Sequence, residues 1–415
     1  MSAEQQRPAS VSGINLRTIM VTLFAGMLAA SLLAATVQAQ SFQILHSFTG
    51  FGDGSVPEAG VTMDRAGNLY GTTLQGTVFK LSHRGSGWVL TTLYTFRGGP
   101  DGANPVSRVV FGPDGTLYGT TTAGGGSGSG TVFNLRPPAT VCEATECPWN
   151  ETILYRFTGL SDGGAPQYGD LVFDTAGNIY GTASGGGLSC PQGTCGVVFK
   201  LTPSGGGWTE SVLYRFTGGN DGGVPYSGVT FDAAGNLYGT TTMGGAHSDG
   251  TAYELTPSAS GWTETTLYAF GGSDLSYSPF GGLIFDRQGD LFGTAFGGPN
   301  GAGTVYELEP SNGGWAYNLV YGFSGYAGPR DTPTMDAGGN IFLTDLNTGP
   351  EQAGSVYKLT PGAGGWTATD LYDFNGDRDG AAPFGNVVWD ADGNVYGTTT
   401  LGGTNNLGIV FEITP

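Results

Sequence analysis

The chain has 415 residues, with 34 acidic and 15 basic side chains, and a formal net charge of −19 at pH 7. A chain this acidic repels the phosphates of nucleic acids and anionic membrane surfaces, so neither is expected as a partner. Because 77 residues are glycine, short glycine patterns carry no information here, and no Gly-Lys-Ser/Thr phosphate loop is present.

The first 39 residues have the features of a secretory signal peptide. Arg7 and Arg17 lie in a polar start, the segment 19–37 is apolar, and Val37-Gln-Ala39 is a small-residue cleavage site. An uncleaved membrane anchor is the alternative for this segment, and no later segment approaches membrane-spanning length. We expect residues 1–39 to direct export to the periplasm, the cell surface or the medium, and residues 40–415 to form one domain.

Seven copies of one phrase follow. Each copy has a strand ending in Asp, a Gly-Asn turn, an aromatic-Gly-Thr strand, a Gly-rich stretch, and Gly-Thr-Val-aromatic-x-Leu. The first copy reads Val61-Thr-Met-Asp-Arg-Ala-Gly-Asn-Leu-Tyr-Gly-Thr-Thr73, then Gly76-Thr-Val-Phe-Lys-Leu81. The aromatic residue recurs every 48 to 62 residues, at Tyr70, Tyr118, Tyr180, Tyr238, Phe292, Phe342 and Tyr396.

Each copy contains four short runs rich in β-branched and aromatic residues, separated by Gly, Pro, Asn and Asp. Four strands in a unit of about 50 residues, repeated seven times, are typical of a β-propeller. The last unit stops after its third strand, at Ile413, and the missing fourth strand is found at Leu45–Phe48. We predict an all-β, seven-bladed propeller of four-stranded blades, closed by an N-terminal strand that completes the last blade.

The Asp that ends the first strand of each unit is predicted to be structural. Its side chain can accept hydrogen bonds from the amides of the following turn, in which a glycine takes a positive φ. In the second unit this Asp lies two residues later than in the others. The seven residues are Asp64, Asp114, Asp174, Asp232, Asp286, Asp336 and Asp390.

A second phrase, Asp-Gly-x-x-Pro, lies between one blade and the next. We expect these loops to surround one mouth of the central channel, on the same face as the Gly-rich loops. Their carboxylates would then hold a cation or bind sugar hydroxyl groups, and a purely structural turn is the alternative. The candidate ligand-binding residues are Asp53, Asp101, Asp162, Asp221 and Asp379.

The sixth unit departs from this pattern. Its loop reads Ser324-Gly-Tyr-Ala-Gly-Pro-Arg-Asp331, and Phe-Leu-Thr-Asp345 replaces Tyr-Gly-Thr-Thr. Two carboxylates beside an arginine suit acid–base chemistry on a sugar, whereas drift of a degenerate repeat is the alternative. The candidate catalytic residues are Arg330, Asp331, Asp345 and Glu351, beside the candidate ligand-binding residue Tyr326, and His247 of the fourth unit's Gly-rich loop is a separate candidate base.

One segment resembles the start of a calcium-binding loop. In Asn375-Gly-Asp-Arg-Asp-Gly380, oxygen ligands alternate at Asn375, Asp377 and Asp379. Position twelve of such a loop should be acidic, and here it is Asn386. Calcium is therefore a candidate ligand, and no other cofactor is indicated.

The four cysteines form two Cys-x4-Cys pairs, Cys142 with Cys147 and Cys190 with Cys195. An exported protein is expected to oxidise them. The two pairs fall in loops that alternate between the faces of a propeller. We therefore predict two local disulfides rather than bridges between the pairs.

The phrases Gly-Asn-Leu-Tyr-Gly-Thr-Thr and Gly-Thr-Val-Phe-x-Leu, separated by Gly-Gly, resemble the GloVer tandem repeat of bacterial exported proteins over about residues 42–415. The Asp-x-x-Gly-Asn-Leu-Tyr element is also similar to those of NHL-type repeats and virginiamycin B lyase. The GloVer resemblance implies a secreted or surface-displayed propeller, with no assigned reaction and no catalytic motif to transfer.

Three functions remain open from the sequence. The first is a non-enzymatic, monomeric propeller that binds a glycan or a protein through its loop-rich face. The second is a polysaccharide lyase or glycosidase on that face, and the third is a structural surface module. An enzyme predicts a deep pocket with converging Arg, Tyr, His or carboxylate groups, whereas a binding scaffold predicts a shallow mouth ringed by Asp and Gly.

Overall fold

The computed structural model describes residues 40–139, 148–190, 193–325 and 328–415. In these ranges the chain forms thirty strands, numbered β1 to β30 in chain order, and one 3-10 turn at Gly99–Asp101. No helix in the same ranges combines the length and the apolar character needed to cross a membrane.

The strands up to the second repeat are β1 (Ser41–Ser47), β2 (Thr62–Met63), β3 (Leu69–Thr73), β4 (Thr77–Arg84), β5 (Gly87–Thr95), β6 (Val110–Phe111), β7 (Leu117–Thr121), β8 (Thr131–Arg136) and β9 (Asn150–Arg156). The third and fourth repeats form β10 (Val172–Phe173), β11 (Ile179–Ala183), β12 (Ser189–Cys190), β13 (Gly193–Thr194), β14 (Val197–Ser204), β15 (Gly207–Arg215), β16 (Thr230–Phe231), β17 (Leu237–Thr241), β18 (Thr251–Ser258) and β19 (Gly261–Ala269). The last three repeats form β20 (Ile284–Phe285), β21 (Leu291–Ala295), β22 (Gly301–Ser311), β23 (Gly314–Ser324), β24 (Thr334–Met335), β25 (Ile341–Asp345), β26 (Ser355–Gly362), β27 (Gly365–Asp373), β28 (Val388–Trp389), β29 (Val395–Thr399) and β30 (Ile409–Thr414).

These strands form seven four-stranded antiparallel sheets, which confirms the predicted seven-bladed propeller. Blade 1 has the order β2-β3-β4-β5, and blades 2 to 6 repeat it as β6-β7-β8-β9, β10-β11-β14-β15, β16-β17-β18-β19, β20-β21-β22-β23 and β24-β25-β26-β27. The hairpin β12-β13 is a separate two-stranded sheet inserted in blade 3.

Blade 7 is assembled from both ends of the chain. Its order is β28-β29-β30-β1, and β1 pairs antiparallel with β30 from Ser41 opposite Thr414 to Ser47 opposite Ile409. The Phe42 ring also stacks on Tyr372 of blade 6, with 3.9 Å between ring centroids. The N-terminal strand therefore completes the last blade as predicted, although it begins four residues earlier than Leu45.

The aromatic-Gly-Thr motif is explained by packing within a blade. Gly71 lies in the middle of β3, where a Cβ atom would lie 2.5 Å from the ring of Phe79 on β4. Only glycine lets that ring lie flat across the neighbouring strand. The same close approach recurs at Gly119, Gly181, Gly239, Gly293 and Gly397, whereas blade 6 has Leu343 at this position.

The hydrophobic core is divided among the junctions between blades. Seven clusters of buried side chains each combine residues of one blade, including its repeated aromatic residue, with residues of the next blade. In one of them, Leu45 and Phe48 of blade 7 pack against Val61 and Phe79 of blade 1. This cluster closes the ring, because it joins the last blade to the first.

The repeated Asp residues make the predicted turn. Asp64 Oδ1 accepts hydrogen bonds from the amides of Ala66 and Asn68, and its Oδ2 accepts from Asn68 Nδ2 and the Tyr70 hydroxyl. In blade 2, Gly112 occupies the backbone position of Asp64, because its amide donates to the carbonyl of Thr116.

Asp114, which lies two residues later, nevertheless accepts from the Tyr118 hydroxyl at 3.1 Å. A side chain at Gly112 would collide with the Tyr118 ring, since a Cβ atom there would lie 2.3 Å from it. Blade 2 therefore keeps the Asp–Tyr hydrogen bond with the carboxylate supplied from a different position of the turn.

Cys190 and Cys195 form a disulfide across the β12-β13 hairpin, which confirms the local pairing predicted for this pair. Cys142 and Cys147 lie outside the described residues, and their pairing stays a prediction.

Candidate functional site

The Asp-Gly-x-x-Pro loops and the Gly-rich loops lie on the same face of the propeller. Backbone bridges join them in four blades, at Ala103–Ala123, Gly164–Gly185, Gly223–Met243 and Ala381–Leu401, and the bridge Tyr277–Gly297 joins the corresponding loops of blade 5, which lacks the Asp-Gly phrase. We call this the loop face. It contains the most exposed large apolar side chain of the described residues, Phe51, which is 94% exposed.

The five Asp residues of these loops are bound within their own turns. Asp162, for example, accepts hydrogen bonds from the Tyr155 hydroxyl and from the amide and hydroxyl of Thr158. Asp101, Asp221 and Asp379 likewise accept from a tyrosine and a turn amide, whereas Asp53 accepts from Thr49 and His46.

These contacts are those of a structural turn. In the part of the chain that the structure describes, none of the five carboxylates lines the cavity at the centre of the loop face. Their predicted contribution to ligand binding stays a prediction.

The centre of the loop face is instead formed by residues that follow the proline of each loop. Four aromatic rings from blades 3, 4, 5 and 7 contact one another there, and all four are half-buried. Tyr168 lies 4.8 Å from Phe384 and 6.2 Å from Tyr226, and Tyr226 lies 5.0 Å from Phe280, measured between ring centroids. We call this group, with Arg330, the central aromatic cluster.

Arg330 of blade 6 lies among these rings. Its guanidinium carbon is 4.9 Å from the centroid of Phe280, 4.5 Å from that of Phe296 and 5.7 Å from that of Phe384. These distances are those of cation–π contacts. Burial lowers the pKa of Arg330, but the group stays charged near neutral pH because the ordinary pKa of arginine exceeds 12.

Polar groups complete the mouth. The Tyr168 hydroxyl donates to Glu58 Oε2 at 3.2 Å, and Arg108 forms an ion pair with Asp170. Burial raises the pKa of Glu58, and the hydrogen bond from Tyr168 partly offsets this rise. The partly open cavity between these residues has a volume of about 30 Å³, which is roughly the space that one water molecule occupies. The mouth is therefore shallow and nearly filled by its own side chains.

Asp331 and Asp345 are buried beneath the mouth, with 5% and 0% of their surface exposed. Asp331 Oδ2 accepts a hydrogen bond from the Thr344 amide at 3.1 Å, and Asp345 Oδ1 accepts from the Asn347 amide at 3.0 Å. Among the described atoms, the second oxygen of each carboxyl group has no hydrogen-bond partner.

The pKa values of both carboxyl groups are raised. Burial, and secondarily the charge of Asp345, raises the pKa of Asp331 to about 8, although hydrogen bonds from Thr344 favour its ionised form. Burial raises the pKa of Asp345 to about 6. Asp331 therefore retains its proton at pH 7, and Asp345 is mostly ionised there.

Threonines of the second strands hold the inner residues of neighbouring blades in place. Thr398 of blade 7 donates to the carbonyl of Ala59 in blade 1 at 2.8 Å, and Thr294 of blade 5 donates to that of Asp331 in blade 6 at 2.7 Å. Four more junctions have the same bond, from Thr72, Thr182, Thr240 and Thr344. The repeated Thr thereby fixes the backbone from which the central aromatic cluster projects.

The sixth-unit candidates converge only in part. Arg330 and Asp331 line the mouth, and Asp345 is buried behind Asp331 without lining the cavity. Glu351 and His247 are exposed on Gly-rich loops away from the cavity. Tyr326 lies outside the described residues. The catalytic roles of all these residues stay predictions.

The calcium candidate has a competing set of contacts. The Asn375 amide side chain and backbone both donate to Asp379 Oδ2, which also accepts from the Tyr372 hydroxyl. These are the contacts of the equivalent turns in other blades. Among the described residues, no group of three or more His, Cys, Asp or Glu side chains is arranged to hold a metal ion.

Sequence reasoning missed most of the central aromatic cluster. Tyr226, Phe280 and Phe384 each directly follow the proline of an inter-blade loop, and Tyr168 follows its proline by two residues. The signal was available as an aromatic residue recurring after Pro in four of seven units. It was obscured because the repeated phrase ends at that proline.

Comparisons with known proteins bear on the family of the chain. The sequence profile of the Gloeobacter/Verrucomicrobia repeat matches residues 30–187, 75–295, 139–344 and 294–415, which overlap along the chain. No curated protein matches the sequence.

Three solved structures match the chain, each with a TM-score of 0.43. A putative gluconolactonase is 13% identical, and the match covers 92% of this chain and 94% of that protein. A putative oxidoreductase (glucose dehydrogenase) from Thermus thermophilus is 14% identical, and the match covers 91% of this chain and 100% of that protein. The calcium structure of a carbohydrate-active enzyme of family AA12 from Trichoderma reesei is 12% identical, and the match covers 91% of this chain and 96% of that protein. At this level of similarity, their activities are not transferred to this chain.

The repeat profile extends from residue 30 to residue 415 and includes every blade. The chain belongs to the family of the Gloeobacter/Verrucomicrobia repeat.

Proposed function

We propose that this protein is an exported propeller that binds a glycan at the central aromatic cluster of its loop face. The observation that carries the proposal is the group of four half-buried rings, supplied by four different blades, around one shallow mouth. Aromatic faces bind the apolar faces of sugar rings, and nearby carboxylate and guanidinium groups bind their hydroxyl groups.

The shallow shape of the mouth favours binding over catalysis. A cavity of about 30 Å³ is too small to enclose a sugar ring, whereas ligand pockets that bury small molecules have volumes of about 300–1,000 Å³. A glycan would therefore lie across the mouth, with one face against the rings and the other in water.

The test is retention of the purified protein on an array of polysaccharides, with Tyr226→Ala as the diagnostic variant. Loss of one stacked ring should weaken retention about fivefold, because such a contact contributes about 1 kcal/mol. Phe51→Ala is the matched control, since Phe51 is an exposed aromatic residue on the same face but outside the mouth. Equal retention of both variants and the unmodified protein would refute binding at this mouth.

A polysaccharide lyase or glycosidase is the second candidate function. It is favoured by the juxtaposition of Arg330 with Asp331, whose raised pKa of about 8 would let it act as a general acid. This hypothesis predicts release of new reducing or unsaturated ends from a bound polysaccharide, and loss of that release in Asp331→Asn. Retention without any product would exclude it for the glycans tested.

Export and calcium binding belong to the same proposal. We expect the mature protein to begin near residue 40, which N-terminal sequencing of protein from the culture medium and cell envelope would test.

Calcium at Asn375, Asp377 and Asp379 would be detected by comparing thermal unfolding with added calcium and with a chelator. An unchanged midpoint would argue against a calcium site.

A further inference from the structure

We infer that the mouth selects glycans carrying a carboxylate, with Arg330 as the group that binds the acidic sugar. This inference rests on the proposed glycan-binding function and deepens it. It is based on the contacts of Arg330, on the state of the acidic groups around it, and on the charge of the rest of the protein.

The charge of Arg330 has no partner in the described structure. No carboxylate of the described residues lies within 4.0 Å of its guanidinium group. Its Nε is buried without a hydrogen-bond partner among the described atoms. Arg108, in the same mouth, is instead neutralised by Asp170.

The acidic groups that line the mouth have other hydrogen-bond or ion-pair partners. Asp331, the next residue, directs Oδ2 to the Thr344 amide, and its raised pKa keeps it protonated at pH 7. Glu58 accepts its hydrogen bond from Tyr168. The three phenylalanine faces hold the guanidinium but supply no anion, so an anionic ligand would provide the missing partner.

A uronic acid combines the two features that this mouth recognises. Its ring can lie on an aromatic face, and its carboxylate matches the planar fork of a guanidinium group, which binds carboxylates through two parallel hydrogen bonds. A neutral sugar supplies no anion to pair with the guanidinium, whereas a hydrogen bond between charged groups contributes about 1.5–3 kcal/mol.

The overall charge restricts such binding to the mouth. With a formal net charge of −19, the remaining surface repels a polyanion. The three lysines of the chain are all placed over aromatic rings of their own blades, at 5.2 to 5.5 Å from the ring centroids of Tyr70, Tyr180 and Phe342. Acidic polysaccharide should therefore have little residual affinity once Arg330 is replaced.

The experiment compares polygalacturonate and alginate with carboxyl-reduced polygalacturonate, which keeps the chain and removes the charge. We expect the unmodified protein to bind at least one acidic polymer about tenfold or more tightly than the reduced polymer, equivalent to about 1.4 kcal/mol. Arg330→Gln should remove this difference. Arg287→Gln, which removes an exposed cation outside the mouth, should leave it unchanged.

Three cases separate the possible failures. If the reduced polymer binds as tightly as the acidic ones and Tyr226→Ala weakens both, the glycan site stands and the selection of a carboxylate is refuted. If no polymer binds, both proposals fail for these glycans. If Arg330→Gln does not fold, competition on the unmodified protein decides: free galacturonate should displace a bound polymer and galactose should not, and equal displacement by both would refute the inference.

Discussion

Blades 4 and 6 place different chemistry at the same positions of one fold. In blade 4, the Ser227 hydroxyl pairs with that of Thr240 at 3.1 Å, and Thr241 pairs with Thr251 at 2.9 Å. In blade 6, Asp331 and Asp345 replace Ser227 and Thr241, with Thr344 in the place of Thr240. Neutral hydroxyl pairs have thus been replaced by two buried carboxyl groups.

The two blades differ in whether their buried polar atoms have hydrogen-bond partners. The hydroxyls of blade 4 satisfy one another, whereas in the described structure each carboxyl of blade 6 retains one oxygen without a partner. A buried polar atom in that state costs about 1–3 kcal/mol. Such a cost lies beside Arg330, in the blade that contributes a cation to the mouth, as adaptation of blade 6 to the proposed glycan site would predict.

The largest effect on the free energy of unfolding is expected from the Asp turn after the first strand, which both blades contain. Asp232 accepts four hydrogen bonds, including one from the Tyr238 hydroxyl, whereas Asp336 accepts three, because Phe342 replaces the tyrosine. Asp232→Ala should lower the free energy of unfolding by about 3 kcal/mol and Asp336→Ala by about 2 kcal/mol.

Urea denaturation of both variants measures the difference. Tyr238→Phe is the control, because it removes only the fourth hydrogen bond and should cost about 1 kcal/mol. Equal losses in the two Asp variants would show that the hydroxyl contributes nothing.

The second-largest effect on the free energy of unfolding is expected from exchanging Asp331 of blade 6 and Ser227 of blade 4. The folded state keeps a proton on Asp331 up to about pH 8, whereas the unfolded chain releases it near pH 4. Unfolding therefore releases a proton in this interval, and the contribution of Asp331 to stability decreases as pH rises from about 4 to about 8.

Asp331→Ser should remove that dependence, and at pH 9 it should raise the free energy of unfolding by about 1–2 kcal/mol, with little gain at pH 5. Ser227→Asp places a carboxyl group at the same position of blade 4, so it should lower the free energy of unfolding at pH 9 more than at pH 5. Urea denaturation at the two pH values tests both variants, and a gain that is equal at pH 5 and pH 9 would contradict the role of ionisation.

The smallest effect on stability is expected from a substitution on the outer strand of blade 4. Glu264 of blade 4 lies opposite Leu255, where blade 6 has Ala368 opposite Leu359. Burial, and secondarily the charge of Asp221, raises the pKa of Glu264 to about 7, although Thr266 donates a hydrogen bond to it. The folded state thus holds a proton that the unfolded chain loses near pH 4.5, so this contribution to stability falls as pH rises from about 4.5 to about 7.

Glu264→Gln should raise the midpoint of thermal unfolding by about 1–2 °C at pH 8 and leave it unchanged at pH 4, where the carboxyl is protonated in both states. Ala368→Glu should lower the midpoint at pH 8. Calorimetry at the two pH values would contradict the assignment if Glu264→Gln had no effect at pH 8.

The sequence by itself determined the architecture. Seven copies of the strand-turn-strand phrase predicted seven blades, and the incomplete last unit predicted closure by the N-terminal strand, because both follow from local spacing and turn chemistry. The repeated Asp, the Gly beneath the aromatic ring in six of the seven blades and the Cys190–Cys195 bridge are local features of this kind. The departure of the sixth unit directed attention to Arg330 and Asp331, which line the mouth in the structure.

Only the tertiary structure decided which residues meet at the centre. Tyr168 and Phe384 are separated by more than 200 residues in the chain, yet their rings are 4.8 Å apart, because all seven inner strands converge on one axis. The Asp-Gly-x-x-Pro carboxylates appeared equally suited to the mouth, but a tyrosine of the outer strand binds four of them within their own turns. Side-chain direction and contacts between blades are set by packing across the ring, and a repeat period does not encode them.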